Sequence, residues 1–179
     1  MEQNDATHGF QAVSEQAANE YEEKREDLAA FVDAAMLARG DIQNLIGQRG
    51  NELMKNNHRN HAALIAMVLS FKRFDVLYNV LPWVYRAYHN HGFSYDYFPT
   101  ALQSRITAMR KVLSPDTAAE IEPLYRRLIE LHENSIERSR KAERPDRMMM
   151  SNERWKAVFP KYCNALLEGD IMTCAEIAE

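Results

Sequence analysis

Apolar residues recur at helical spacing along most of this chain. A recurrence every three or four positions lays one face of a helix on a core, whereas a strand would alternate every second residue. Tyr21, Leu28, Phe31, Val32, Ala35 and Met36 form the first stripe, which predicts a helix from a Ser14 cap to Arg39. Gly40 is expected to end it in the left-handed conformation. Asp41 is then expected to cap a helix carrying Ile42, Leu45, Ile46, Leu53 and Met54. Gly47 and Gly50 weaken the middle of that helix by about 1 kcal/mol each relative to Ala. Asn56 to Asn60 reads as a break or weakened turn. Ala62 to Phe71 is apolar nearly all round and reads as a central helix.

Asp75 opens a further stripe of Val76, Leu77, Val80, Leu81, Val84, Tyr85 and Tyr88, which Gly92 closes. Pro82 lies inside it and is expected to kink it, because proline removes a backbone donor. An aromatic connection follows, and Pro99 suits the first turn of a helix running to Leu113. Ser114-Pro115-Asp116 is a helix start, with Ser as cap, Pro at the first helical position and Asp at the positive end of the dipole. That helix is expected to run to about Ala142, with a second kink at Pro123. Residues 1 to 13 carry no periodicity and are expected to be loose. No strand-like alternation of useful length occurs. The pattern predicts an all-α bundle of about six or seven helices, some Pro-kinked, over residues 1–142. Residues 143–152 read as a linker. Residues 153–179 read as a C-terminal helical segment whose apolar face is still running at the uncapped Glu179, as if it opened something longer.

Composition narrows the partners. The 179 residues suffice to bury about two-thirds of the unfolded surface, so neither disulfide nor metal is required. A net charge of −4 disfavours nucleic acid, which asks for a basic face. The basic run from Arg138 is interrupted by Glu143 and reads as a solvated helix end. Cys163 and Cys174 read as free thiols in a reducing compartment. The acidic start is no secretory signal, and no apolar run approaches the roughly eighteen residues of a membrane span. These features point to a cytoplasmic chain with no membrane and no nucleic-acid partner.

Candidate chemistry is sparse. Phosphate loops, nucleophile elbows and Cys-x-x-Cys patterns are missing, so no catalytic residue is assigned and the chain is not expected to be an enzyme. His58 and His61 share the spacing of a metal-binding pair, yet their Asn-rich surroundings favour a solvated pair, and no metal site is assigned. His89 and His91 sit at a helix end beside Trp83, Tyr85, Tyr88, Phe93, Tyr95, Tyr97 and Phe98. The aromatics are expected to form a core corner locking two helices, with a ligand pocket as the alternative. In that alternative His89, His91, Trp83, Tyr88 and Phe98 would bind a cofactor, with His89, His91 or His132 as axial ligand to a tetrapyrrole. Glu122 with Arg126, and Arg126 with Glu130, read as surface ion pairs.

The segment from Leu81 through Trp83, His89, His91 and Gly92 to Pro99, followed by Leu113-Ser-Pro-Asp-Thr-Ala-Ala-Glu-Ile-Glu-Pro-Leu-Tyr, resembles the helical N-terminal region of bacterial cobalamin-binding regulatory and methyltransferase-type corrinoid proteins. The tail Asn164-Ala-Leu-Leu-Glu-Gly-Asp-Ile resembles the opening helix of the cap that precedes their cobalamin-binding domain. The family's Asp-x-His-x-x-Gly signature does not occur. The resemblance therefore implies an upstream sensory or interaction module that does not hold cobalamin in the family's usual way. The expected function is a non-enzymatic sensory or regulatory domain of a signalling protein. It would act by helix packing and self-association, as a dimer or on a downstream signalling domain. The alternative is a helical sensor of a tetrapyrrole, haem or cobalamin-related cofactor; the sequence names no cofactor.

Overall fold

The computed structural model describes residues 9–48 and 50–141. Those residues form eight α-helices and no strand: α1 (Glu15–Glu23), α2 (Arg25–Leu37), α3 (Ile42–Ile46), α4 (Asn51–Phe71), α5 (Phe74–Asn90), α6 (Tyr97–Val112), α7 (Pro115–Glu130) and α8 (His132–Ser139). The all-α bundle is as the periodicity predicts. The linker 143–152 and the segment 153–179 lie outside the described residues.

Helix boundaries depart from expectation where backbone chemistry and burial outweigh propensity. The first long stripe is two helices, broken at Lys24. Gly40 is not left-handed; α2 closes at Ala38 in an ordinary helical conformation. Asp41 makes no side-chain cap and instead holds Arg39 at 2.8 and 2.9 Å. The Gly47–Gly50 stretch does not weaken a helix but ends one, with Gly47 at φ +72°. A Cβ on Gly50 would lie 2.2 Å from the Ile46 carbonyl oxygen, so the close approach of the two backbones requires glycine there. Asn56 to Asn60 is no break, since α4 runs through it unbroken. The helix expected to reach Ala142 divides at Leu131 into α7 and α8. Phe10 and Val13, expected to be loose, are buried, and the Phe10 ring stacks on Phe74 at 5.9 Å.

Pro82 sits within α5, which continues through it. Its missing N–H leaves the Tyr78 carbonyl one turn earlier without its helical donor. Arg138 of α8 supplies a substitute, donating from Nη1 to that oxygen at 3.4 Å while its guanidinium lies 4.2 Å over the Tyr78 ring. The proline thus becomes a docking point for α8.

Helix α4 lies at the centre, packed on α1, α2 and α5, while α6 bridges α2 and α7, and α5 carries α8. Helices α1 and α7 run antiparallel and cap one another. The Glu20 carboxylate of α1 accepts from the Ser114 amide at 2.6 Å, the Ser114 hydroxyl at 2.7 Å and the Thr117 hydroxyl at 2.5 Å. Reciprocally, the Glu120 carboxylate of α7 accepts from the Ser14 amide and, at 2.8 Å, from the Ser14 hydroxyl. Each serine also accepts from its own helix, Ala17 N–H at 3.1 Å and Thr117 N–H at 3.4 Å. Orphan donors at both helix starts are satisfied from inside and from across the pair.

Candidate functional site

Among the described residues the buried polar side chains come from five helices: Asp33 of α2, Asn57, His58 and Asn60 of α4, Arg105 of α6, Thr117 of α7, and Ser135 and Ser139 of α8. In α4, Met54, His58, His61, Ile65 and Val68 follow at three- and four-residue steps, so an unbroken helix turns the histidines the same way as the apolar residues. His58 is fully buried, which corrects the expectation of a solvated pair. Its Nδ1–H donates to Asp33 of α2 at 2.5 Å. Its Nε2 accepts from the Tyr97 hydroxyl at 2.8 Å. Because a carboxylate only accepts, these two contacts fix the Nδ1–H tautomer. Burial lowers the His58 pKa to about 4, although the hydrogen bond to Asp33 pulls the other way. Arg59 approaches the second Asp33 oxygen at 3.8 Å.

His61 has a different role. Its ring is tilted against Tyr125 at 5.8 Å, and its Nε2 is sealed from water with no hydrogen-bond partner. Burial, then the nearby Arg105 charge, holds it well below the ordinary histidine pKa, so it is neutral. It lines a cavity of about 50 Å3 at the seam between α4 and α5, together with Leu53, Asn57, Asn60, Leu64, Trp83, Val84, Ala87, Tyr88 and His91. A space of that size takes a few waters or a short chemical group. A second hollow of about 220 Å3 is larger, but Ser14, Glu15, Asn19, Ser70 and Lys72 make its rim polar. The smaller cavity, with its largely apolar wall between two packed helices, is the stronger candidate.

Of the residues named from sequence, Trp83, Tyr88 and His91 meet in the α4–α5 cavity. His89 does not: its Nδ1 lies 3.3 Å from the Phe93 carbonyl oxygen and its ring stacks on Tyr95 at 4.4 Å. Phe98 stacks on Tyr85 at 3.7 Å and belongs to the packed aromatic corner with Tyr88, Phe93 and Tyr97. His132 accepts or donates at 3.0 Å with the Tyr85 hydroxyl, tying α8 to α5. Sequence reasoning passed over His61 as a cavity residue and missed Arg105 altogether. The signal was present, because Arg105 falls in step with Ala101, Leu102, Ala108 and Met109 on the apolar face of α6. The Glu122–Arg126 ion pair forms at 2.5 Å, and Arg110 joins it, whereas Glu130 pairs with Arg127 and not with Arg126.

Among the described residues no group of three or more His, Cys, Asp or Glu side chains could hold a metal ion. None of their helices is long and apolar enough to cross a membrane. No protein-family model, curated protein or solved structure matches this chain. The resemblance to corrinoid regulators stands on the quoted segments alone.

Proposed function

We propose that this chain is a non-enzymatic regulatory module in which a small ligand entering the α4–α5 seam resets helix packing. The observation that carries the reading is the cavity at the α4–α5 seam, in whose lining His61, Trp83, Tyr88 and His91 meet. The wall is largely apolar with a few polar side chains, which is the make-up of a small-ligand site. Trp83, Val84, Ala87, Tyr88 and His91 all belong to α5 or its end, so a ligand displaces that helix against α4. Helix α5 in turn carries α8 through Tyr85–His132 and Arg138–Tyr78. The shift is thus delivered towards residue 141 and whatever follows it, a second copy or a downstream domain.

The test is to fill the cavity from within. Ala87→Leu places a larger side chain in it and is expected to mimic occupancy. Amide hydrogen exchange across α8 should change in that variant relative to wild type; unchanged exchange in α8 would sink the relay. The tetrapyrrole alternative keeps one point in its favour, the meeting of Trp83, Tyr88 and His91 in one cavity. A macrocycle would have to part α4 from α5 to enter a space of about 50 Å3. An absorption spectrum of the purified protein with no Soret band tells against it.

A further inference from the structure

We propose that the hollow between the start of α1 and the end of α4 binds a free α-amino acid with a small aliphatic side chain. This site is separate from the α4–α5 seam and does not depend on it. Its floor is apolar, for Val13, Ala18 and Leu69 are buried. Its rim is polar and exposed, with Glu15 and Asn19 from α1 and Ser70 and Lys72 from the end of α4. The hollow measures about 220 Å3, more than the roughly 150 Å3 that admits a benzene ring.

The charges on the rim choose the ligand. Glu15 and Lys72 line one hollow with opposite signs. Among the described residues neither side chain forms an ion pair or a hydrogen bond, with the other or with a third group, and the side chains of Asn19 and Ser70 are equally unengaged. Ser14, on the same rim, is by contrast spent on its own cap and on Glu120. A simple anion entering here would gain from Lys72 and lose to Glu15, and a simple cation would do the reverse. A zwitterion answers both: its carboxylate accepts from Lys72 Nζ and its ammonium donates to the Glu15 carboxylate. Asn19 and Ser70 offer further donors and acceptors, and a short aliphatic side chain covers the apolar floor. Glu15 and Lys72 are exposed, so each contact is weak and the binding is in the millimolar range.

Amide NMR spectra of the full chain, titrated with L-valine at constant ionic strength, test the site. Cross-peaks of residues 13–19 and 69–73 should move with a millimolar midpoint. Isovalerate is valine without its ammonium, and isobutylamine is valine without its carboxylate. Each should bind roughly fivefold more weakly, the upper end of what one exposed ion pair contributes. Glu15→Gln and Lys72→Met each remove one charge from an exposed position, so the fold is kept, and each should weaken valine by a similar factor. The preference should also collapse in a matched way: isovalerate equals valine in Glu15→Gln, and isobutylamine equals valine in Lys72→Met. Wild type that binds valine no better than either analogue would overturn the zwitterion. So would undiminished valine affinity in either variant. Shifts confined to residues 53–64 and 83–91 would place valine in the α4–α5 seam and overturn the hollow as its site. No shift with any probe would overturn the proposal outright and leave the reading of the seam standing.

Discussion

His58 and His61 couple the interior to pH in a direction that follows from their burial. In the unfolded chain a histidine takes up its proton near pH 6.5. In the fold His58 resists protonation until about pH 4, and His61 is also held well below its ordinary value. The unfolded state therefore binds protons that the native state refuses, and stability must fall as pH drops below about 6.5. The contribution is whole above pH 6.5 and drains away towards pH 4. The urea midpoint is expected to fall between pH 7 and pH 5, before most carboxylates titrate, and His61→Gln should flatten the fall. A midpoint constant over that range would show that both rings are protonated without cost. Asp33 sets the contrast between the two rings: the Arg105 charge lowers both, but His58 alone of the two has a carboxylate beside it.

Two helix ends use one device with different residues. At the end of α5, the Gly92 N–H donates to the His89 carbonyl and the Phe93 N–H to the Tyr88 carbonyl, with Gly92 at φ +89°. At the end of α4, the Lys72 N–H donates to the Leu69 carbonyl and the Arg73 N–H to the Val68 carbonyl, with Lys72 at φ +55°. Both are left-handed helix stops in which the reversing residue wants to be glycine. Lys72→Gly is expected to raise stability by about 1 kcal/mol and Gly92→Ala to lower it by about 1–2 kcal/mol. Denaturant titration of the two variants checks both signs, and a loss in Lys72→Gly would mean that the lysine side chain contributes more than its backbone strain costs. The Gly92 stop was legible in the sequence, as were the Ser14 and Ser114 caps, because their residue types announce them. The Lys72 stop was not, because lysine carries no such mark. The continuity of α4 through Asn56–Asn60 was hidden for the opposite reason. Asparagine is a poor helix former, but Asn57 and Asn60 are buried on a helix whose packing outweighs local propensity. With that break wrongly placed, the histidines looked solvated and the α4–α5 cavity could not be seen.

Across the molecule, the paired ends of α1 and α7 fix how the first and seventh helices register. Ser14 and Glu20, and Ser114 and Glu120, repeat one spacing, and each glutamate serves the other helix's serine. Behind them the Tyr21 and Tyr125 hydroxyls meet at 2.7 Å. The spacing was in the sequence, but a serine six residues before a glutamate is too common to signal a partner until the fold brings the two copies together. Hydrogen bonds from Thr117 and then from Ser114 lower the Glu20 pKa, so this contact is strongest above the ordinary carboxylate range and weakens as pH falls through it. Removing the Ser114 hydroxyl by Ser114→Ala is expected to cost about 1 kcal/mol, the usual worth of a helix cap. A denaturant midpoint unchanged from wild type would show that water replaces the serine without loss. The two contacts also have a place in time. They join residues 94 to 106 positions apart, so closing them early would demand the entropy of a long loop before any other contact helps. They belong to the last stage of folding, and Ser114→Ala should therefore quicken unfolding while leaving the refolding rate almost untouched.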